Sequence, residues 1–302
     1  MERGVISPCT VDKLQSPETG KIARGSDGNL KITIGIISRG RPNYLAASIM
    51  SWLNLAKHPE DLQFIFALDD DDLVSITTYN EIAYVIRYYK ATCSLITWKP
   101  VGYVNLFQRH NQMLPHYNGD LLLTISDDQF CHTHHWDVAV SNSVNEVYKK
   151  REDASVLVWM CGANNDKPHP DLCALNRNWL NIAGKYSITA GTDSYVRDMA
   201  KAIEKHTKNG QSIVRPTVNV YHLQRKFDLL PKDSGENFRK PPPYQGNESL
   251  WEDRYRDSKL LEDEVWIEST RHNDAIYRFH DGEVGKEYNS IVDKFKDYYG
   301  KK

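Results

Sequence analysis

Two groups of carboxylates, each following a strand-like apolar run, are the residues of this 302-residue chain best suited to chemistry. The run 120–126 ends at Asp127 and Asp128, and the run 62–68 ends at the four consecutive acids 69–72. Acids at the carboxyl end of a strand in an open α/β sheet face the crevice where ligands bind. Adjacent carboxylates there need a cation or donors to compensate them, and a divalent metal holding a phosphate is the obvious candidate. The alternative is that such acids serve only as turn and cap residues.

Hydrophobic periodicity predicts the elements that position these acids. A helix is expected to begin at Pro42, because proline suits the first helical position. Further helices are predicted at 73–90, 105–114, 136–150 and 195–206, and strands at 32–37, 62–68, 93–98, 120–126, 156–160 and 217–222. Strands that alternate with helices in this way predict an α/β fold with a parallel, doubly wound sheet.

The two ends of the chain differ in composition from its middle. Residues 1–30 are polar and lack periodicity, which predicts a loose lead-in. Residues 223–250 are rich in proline and glycine and predict a mobile loop. Residues 251–302 are charged with scattered aromatic side chains, so we expect a C-terminal extension of peripheral helices.

Bulk composition argues against several classes of protein without excluding a local basic groove for nucleic acid. With 40% hydrophobic and 26% charged residues the chain is typical of a soluble globular protein. Its net charge of −2 provides no global basic field, which disfavours non-specific binding to nucleic acid. The five cysteines form no CxxC pair, and no stretch has the character of a signal peptide or membrane span. We therefore expect reduced thiols and a soluble, cytoplasmic location.

Over roughly residues 31–222, the order of these motifs resembles that of a family 2-type glycosyltransferase of the GT-A fold. The resemblance implies a GT-A-like, Rossmann-type and mostly parallel sheet flanked by helices. It also implies a catalytic domain at 31–222, with a donor half at 31–130 and an acceptor half at 131–222.

The resemblance further implies which residues bind a nucleotide-sugar donor. Ser38, Arg39 and Arg41, in the loop after the first strand, would contact its diphosphate, since helix N-termini and arginines suit phosphate. Asp70, or else its neighbour Asp69, would accept a hydrogen bond from the base, usually uracil. The alternatives are solvated arginines in a tight turn and, for the acids that follow, caps of the next helix.

A metal site is implied by the tripeptide Ser126-Asp127-Asp128, which occupies the place of the family's DXD motif. Asp128 would bind Mn²⁺ or Mg²⁺ directly, and Asp127 would contact the ribose or act from the outer shell. Ser126 departs from the pattern, because the first acid of the motif is missing. His222 would be a third ligand of the kind that many members supply, although a lone histidine after a strand is more often structural.

Asp193 is the catalytic base that the resemblance implies. In inverting members an acid directly before a late helix, here 195–206, takes the proton from the attacking hydroxyl. An equally good interpretation is that Asp193 caps that helix, and Asp171 is then the reserve candidate.

These motifs together predict a metal-dependent, inverting glycosyltransferase that uses a UDP-sugar. Its acceptor would be a glycan or another hydroxyl-bearing substrate, and a modified nucleic acid base stays open although the charge disfavours it. Residues 224–249 would close over the donor as a lid. The alternatives are a degenerate glycan- or nucleotide-binding relative without catalysis, and a sugar nucleotidyltransferase, which the low glycine content of residues 38–42 disfavours.

Overall fold

The computed structural model of this protein describes residues 22–99, 107–162, 172–188, 192–206, 211–222 and 283–300. Its strands are β1 (Ile32–Ser38), β2 (Leu62–Asp69), β3 (Thr92–Trp98), β4 (Leu121–Ser126), β5 (Gln129–Cys131), β6 (Ser155–Gly162), β7 (Leu172–Asn176), β8 (Gln211–Val214) and β9 (Asn219–His222). Its α-helices are α1 (Pro42–Asn54), α2 (Leu73–Tyr88), α3 (Phe107–Met113), α4 (Trp136–Tyr148), α5 (Arg177–Ala183), α6 (Thr192–His206) and α7 (Glu283–Gly300).

The described strands form one mixed sheet in the order β3-β2-β1-β4-β7-β6-β9-β5, with β8 also paired to β6. Strands β3, β2, β1 and β4 are parallel to one another, as predicted. β7 runs antiparallel between β4 and β6, and β5 runs antiparallel to β9. The sheet is therefore mostly parallel, with the order reversing direction between β1 and β4.

Helices cover both faces of the sheet, which explains why its central strands are continuous apolar runs. On one face, Ile34 and Phe64 pack with residues of α1, α2 and α4. On the other face, Ile65 and Leu122 pack with residues of α5, α6 and α7. Among the helices of the described residues, none combines the length and apolar character that a bilayer crossing requires.

The C-terminal helix α7 confirms the predicted C-terminal helical extension, and it packs more deeply than the peripheral helices expected there. Its face at Tyr288, Ile291, Val292, Phe295 and Tyr299 is buried in the core. The Phe295 ring packs edge-on against the Trp179 ring of α5, with centroids 5.5 Å apart. These apolar residues share one face of the helix, but charged residues separate them in the sequence, so the amphipathic pattern was not recognised.

The structure also contains short elements that were not predicted, and it leaves some predicted segments undescribed. The strands β5, β7 and β8 and the helix α5 were not predicted, because each is too short to show a clear period. In the described part of the lead-in, Leu30 is fully buried. The predicted mobile loop at 223–250 and most of the extension at 251–302 lie outside the described residues.

Candidate functional site

The candidate site lies where the strand order reverses, at the carboxyl ends of β1 and β4. These strands are parallel neighbours, and Ile37 near the end of β1 is in register with Ser126 at the end of β4. The loop after β1 leads to α1 on one side of the sheet, and Asp127 and Asp128 turn directly from β4 into β5. A crevice opens at such a point in open α/β sheets, and ligands bind there.

Arg41 joins the two acids that follow β4. Its Nη1 donates to Oδ1 of Asp127 at 2.5 Å and to Oδ2 of Asp128 at 3.2 Å. The Ser38 hydroxyl donates to the other oxygen of Asp127 at 2.7 Å, and the Ser126 hydroxyl donates to Oδ1 of Asp128 at 2.8 Å. Ser38 and Arg41 are thus brought together with these acids, because β1 and β4 are adjacent parallel strands.

His222 reaches Asp128 through an unpredicted pair of strands. β5 begins one residue after Asp128, and its first residue, Gln129, is paired in register with His222 at the end of β9. The result is a separation of 3.4 Å between Nε2 of His222 and Oδ1 of Asp128. The strand pairing therefore assembles two groups that lie far apart in the sequence.

The pair of Asp128 and His222 fits a divalent ion. Ligand atoms about 2.1 Å from one ion lie about 3 Å apart when they are neighbours in its coordination shell. Their 3.4 Å separation is close to that distance, and an oxygen with an imidazole nitrogen suits Mn²⁺. Across the described ranges, three or more His, Cys, Asp or Glu side chains do not converge as a complete metal-binding group. From the described residues, Asp128 and His222 would therefore supply part of a coordination shell.

The electrostatics of the site favour charged forms of its residues. Burial acts to raise the pKa of Asp128, but hydrogen bonding and charge from His222 and charge from Arg41 outweigh it and hold that pKa well below its usual range. Burial likewise acts to lower the pKa of Arg41, and the charges of Asp127 and Asp128 more than reverse it. The site is thus a buried cluster in which the carboxyl groups of Asp127 and Asp128 lie against the guanidinium of Arg41, with the imidazole of His222 beside Asp128.

Arg39 belongs to a second cluster, built around Asp69 at the end of β2. Asp69 accepts from Arg39 at 2.8 Å through one oxygen and from Arg109 of α3 at 2.7 Å through the other. Arg39 also holds both oxygens of Asp71, the half-exposed acid two residues later. The structure therefore separates the two arginines of the β1 loop, since Arg39 pairs with the acids after β2 and Arg41 with those after β4.

Asp70 differs from Asp69 in its surroundings. Its carboxylate is one-third exposed and pairs with Lys99 at 2.7 Å, a lysine whose own side chain is almost fully exposed. Its backbone N–H donates to the carbonyl of Trp98 at the end of β3. Both oxygens of Asp69 thus accept from buried or half-buried arginines, whereas the Asp70 carboxylate pairs with an exposed lysine.

Asp72 has a structural role that the sequence had offered as an alternative. It is the N-cap of α2, and one of its oxygens accepts from the N–H of Ser75 at 3.2 Å. Its other oxygen accepts from the N–H of Gly40 at 2.7 Å. Gly40 has a positive φ of 62°, a conformation that glycine adopts freely. Asp72 thus fixes the loop that carries both arginines.

Asp193 lies in a different local position from the predicted one. Helix α6 includes Thr192, so Asp193 is in the helix and not directly before it. The helix starts earlier than the apolar spacing indicated, because its first residues are polar. The side chain of Asp193 and the whole of Asp171 lie outside the described residues. The role of Asp193 as a base therefore stays a prediction.

Arg109 and Lys99 contact the acids of the candidate site and were not predicted from the sequence. Arg109 is buried in α3 under the Trp98 ring and reaches the carbonyl of Lys99 as well as Asp69. A single arginine in a short helix has no pattern of its own. The only signal for a buried Arg109 was Asp69, a carboxylate at a strand end that needs a cationic partner.

Comparisons with known proteins establish the fold and leave the family unassigned. No protein-family model and no curated protein matches the sequence. The structure is similar to that of residues 1–349 of S. aureus TarS in complex with UDP-GlcNAc, with a TM-score of 0.50 and 11% identity over 88% of this chain and 71% of the other. A mannosyltransferase, PcManGT from Pyrobaculum calidifontis, in complex with GDP-Man and Mn²⁺, aligns with a TM-score of 0.49 and 12% identity over 93% of this chain and 73% of the other.

The chain therefore has a GT-A-like fold, which confirms the fold that the sequence resemblance implied. The mostly parallel sheet and its flanking helices agree with that class.

Proposed function

We propose that this protein is a metal-dependent glycosyltransferase that moves a sugar from a UDP-sugar to an acceptor hydroxyl with inversion. The observation that carries the proposal is the meeting of Asp128 and His222, 3.4 Å apart, at the sheet edge where a GT-A-like fold binds its ligand. TarS, whose fold is similar, was solved with UDP-GlcNAc, which agrees with a nucleotide-sugar donor.

Each part of the donor has a residue suited to it. Asp128 and His222 would hold Mn²⁺ or Mg²⁺, which when bound supplies positive charge against the diphosphate of the leaving nucleotide. Asp70, which is more exposed than Asp69, would accept a hydrogen bond from the base. Asp127, already oriented by Ser38 and Arg41, would act from the outer shell or on the ribose.

The chemistry at the acceptor falls to Asp193. A carboxylate within hydrogen-bond reach of the acceptor hydroxyl would take its proton as the oxygen attacks the anomeric carbon. Attack opposite to the leaving nucleotide inverts the anomeric configuration. The acceptor itself would be a glycan or another hydroxyl-bearing substrate.

Thermal shift and donor hydrolysis across UDP-, GDP-, dTDP- and CMP-sugars, with Mn²⁺, Mg²⁺ or EDTA, test the proposal. Binding to the native state raises the melting temperature by mass action. We expect a shift and released UDP with UDP-sugars and Mn²⁺, and neither in EDTA. Loss of an outer-shell partner weakens metal binding by about 10–100-fold. Asp128→Asn removes a direct ligand and should weaken Mn²⁺ binding by at least as much.

The matched control for Asp128→Asn is Asp153→Asn. Asp153 is a part-exposed acid paired with Arg151 before the amino end of β6, at the sheet edge away from the site. This variant should bind Mn²⁺ and UDP like the parent protein. A metal-dependent shift without any hydrolysis or transfer would favour the non-catalytic binding protein. Absence of binding to every nucleotide, with metal present, would contradict the donor site.

A further inference from the structure

The guanidinium of Arg41 occupies the side of Asp128 opposite to the proposed metal position. Oδ2 of Asp128 faces Arg41 at 3.2 Å, while Oδ1 faces His222 at 3.4 Å. Arg41 also contacts Asp127 at 2.5 Å, and the side chains of Arg41, Asp127 and Asp128 are only 8%, 6% and 12% exposed. The buried guanidinium of Arg41 therefore lies against both acids that would face the metal.

Arg41 is held in this position by its surroundings. It is the N-cap residue of α1, directly before Pro42, so the backbone on its C-terminal side is fixed by the helix. Its guanidinium lies over the ring of Tyr44, 4.2 Å from the centroid, and Tyr44 is itself buried. A cation held between an aromatic face and two carboxylates is bound more tightly than a solvated surface arginine.

A divalent ion on Asp128 would have to share that carboxylate with Arg41. Arginine cannot lose its charge by deprotonation at ordinary pH. Two cations a few ångströms apart repel strongly in a buried site, where solvent screens little. The ion and the guanidinium thus compete for Asp128 even though they approach different oxygens.

We propose that Arg41 is a resident counter-cation that sets the metal affinity of the empty site, so that a divalent ion binds as Arg41 releases Asp128. The inference rests on the proposed function, because it takes Asp128 and His222 as the metal ligands. The donor's diphosphate provides the released guanidinium with a new anionic partner. Metal and nucleotide therefore bind with positive coupling, and the site avoids holding metal tightly when no donor is present.

Titration of Mn²⁺ in the absence of nucleotide, followed by electron paramagnetic resonance of the free ion, measures this competition without recourse to activity. Arg41→Gln removes the charge, and Arg41→Met also removes it but retains an unbranched stem against Tyr44. We expect both variants to bind Mn²⁺ about tenfold more tightly than the parent protein, from the loss of one nearby repulsion. Arg41→Lys retains the charge and should stay close to the parent value.

Arg151→Gln is the matched control, because it removes one positive charge at the opposite sheet edge. It should leave Mn²⁺ affinity unchanged, which excludes an effect of net charge alone. Arg41→Met decides the question if Arg41→Gln does not fold, with thermal melts as the check on folding. Affinity that is equal or weaker in the neutral variants, while Asp128→Asn abolishes binding, would overturn the competition and leave the metal site standing. Failure of every protein to bind Mn²⁺, even with UDP, would overturn both.

Discussion

Asp69 connects two arginines, and its replacement tests whether the second cluster stabilises the fold. In Asp69→Asn the buried Arg109 loses its carboxylate partner at 2.7 Å and keeps the carbonyl of Lys99 and the amide oxygen of Gln112. The side chain of Arg109 is 1% exposed and that of Asp69 is 15% exposed. Removal of one member of a buried ion pair costs about 3–5 kcal/mol. Because two acceptors remain and Asp69 is not fully buried, we expect a loss of about 2–3 kcal/mol.

Asp71→Asn is the matched control, since Asp71 pairs with the same Arg39 two residues further on. The side chain of Asp71 is 52% exposed, so its ion pair is a surface pair worth about 0–1 kcal/mol. Urea unfolding with linear extrapolation measures both losses, provided that the slope with denaturant stays the same in all three proteins.

Equal destabilisation by the two substitutions would contradict a buried ion pair between Asp69 and Arg109. A loss below about 1 kcal/mol for Asp69→Asn would also contradict it, since that is the range of an exposed pair. Either result would mean that Arg109 is not the buried charge that the structure indicates.

Two further predictions concern the core. Burial raises the pKa of Asp120 despite its hydrogen bond from Tyr148, so its ionised form is disfavoured in the folded state. The stability linked to this group is present below the ordinary carboxyl pKa of about 4 and is lost as pH rises through the folded pKa. In urea unfolding, the free energy of unfolding of Asp120→Asn relative to that of the parent protein should therefore be higher at pH 7 than at pH 4. A difference between the two proteins that is the same at both pH values would refute the raised pKa. Phe295→Ala should cost about 3–5 kcal/mol, because the ring is fully buried against Trp179, and a loss below about 1 kcal/mol would mean that α7 is peripheral after all.

Local patterns in the sequence predicted the framework of the donor half. The run 62–68 became β2, the run 120–126 became β4, and Pro42 stands at the start of α1. These features follow from short-range physical chemistry: buried parallel strands must be apolar along their length, and proline suits the first turn of a helix. The acids directly after β2 and β4 were therefore placed at the same sheet edge from the sequence alone.

Such local patterns did not predict which arginine pairs with which acid. Both arginines of the loop 38–42 had been assigned to one diphosphate, and the structure assigns Arg39 to Asp69 and Arg41 to Asp127 and Asp128. Their side chains diverge because Gly40, with its positive φ, lies between them and is tied to the cap of α2.

The sequence by itself thus determined the fold class, the acids at the carboxyl ends of β2 and β4 and the loop that faces them. Only the tertiary structure decided that His222 lies beside Asp128, because that contact depends on the register of β5 against β9. It likewise decided that Arg109 meets Asp69 and that α7 belongs to the core. Hydrophobic periodicity reports which face of an element is buried, whereas the choice of partner for a buried charge or an apolar stripe depends on strand order and register, which no local window of sequence contains.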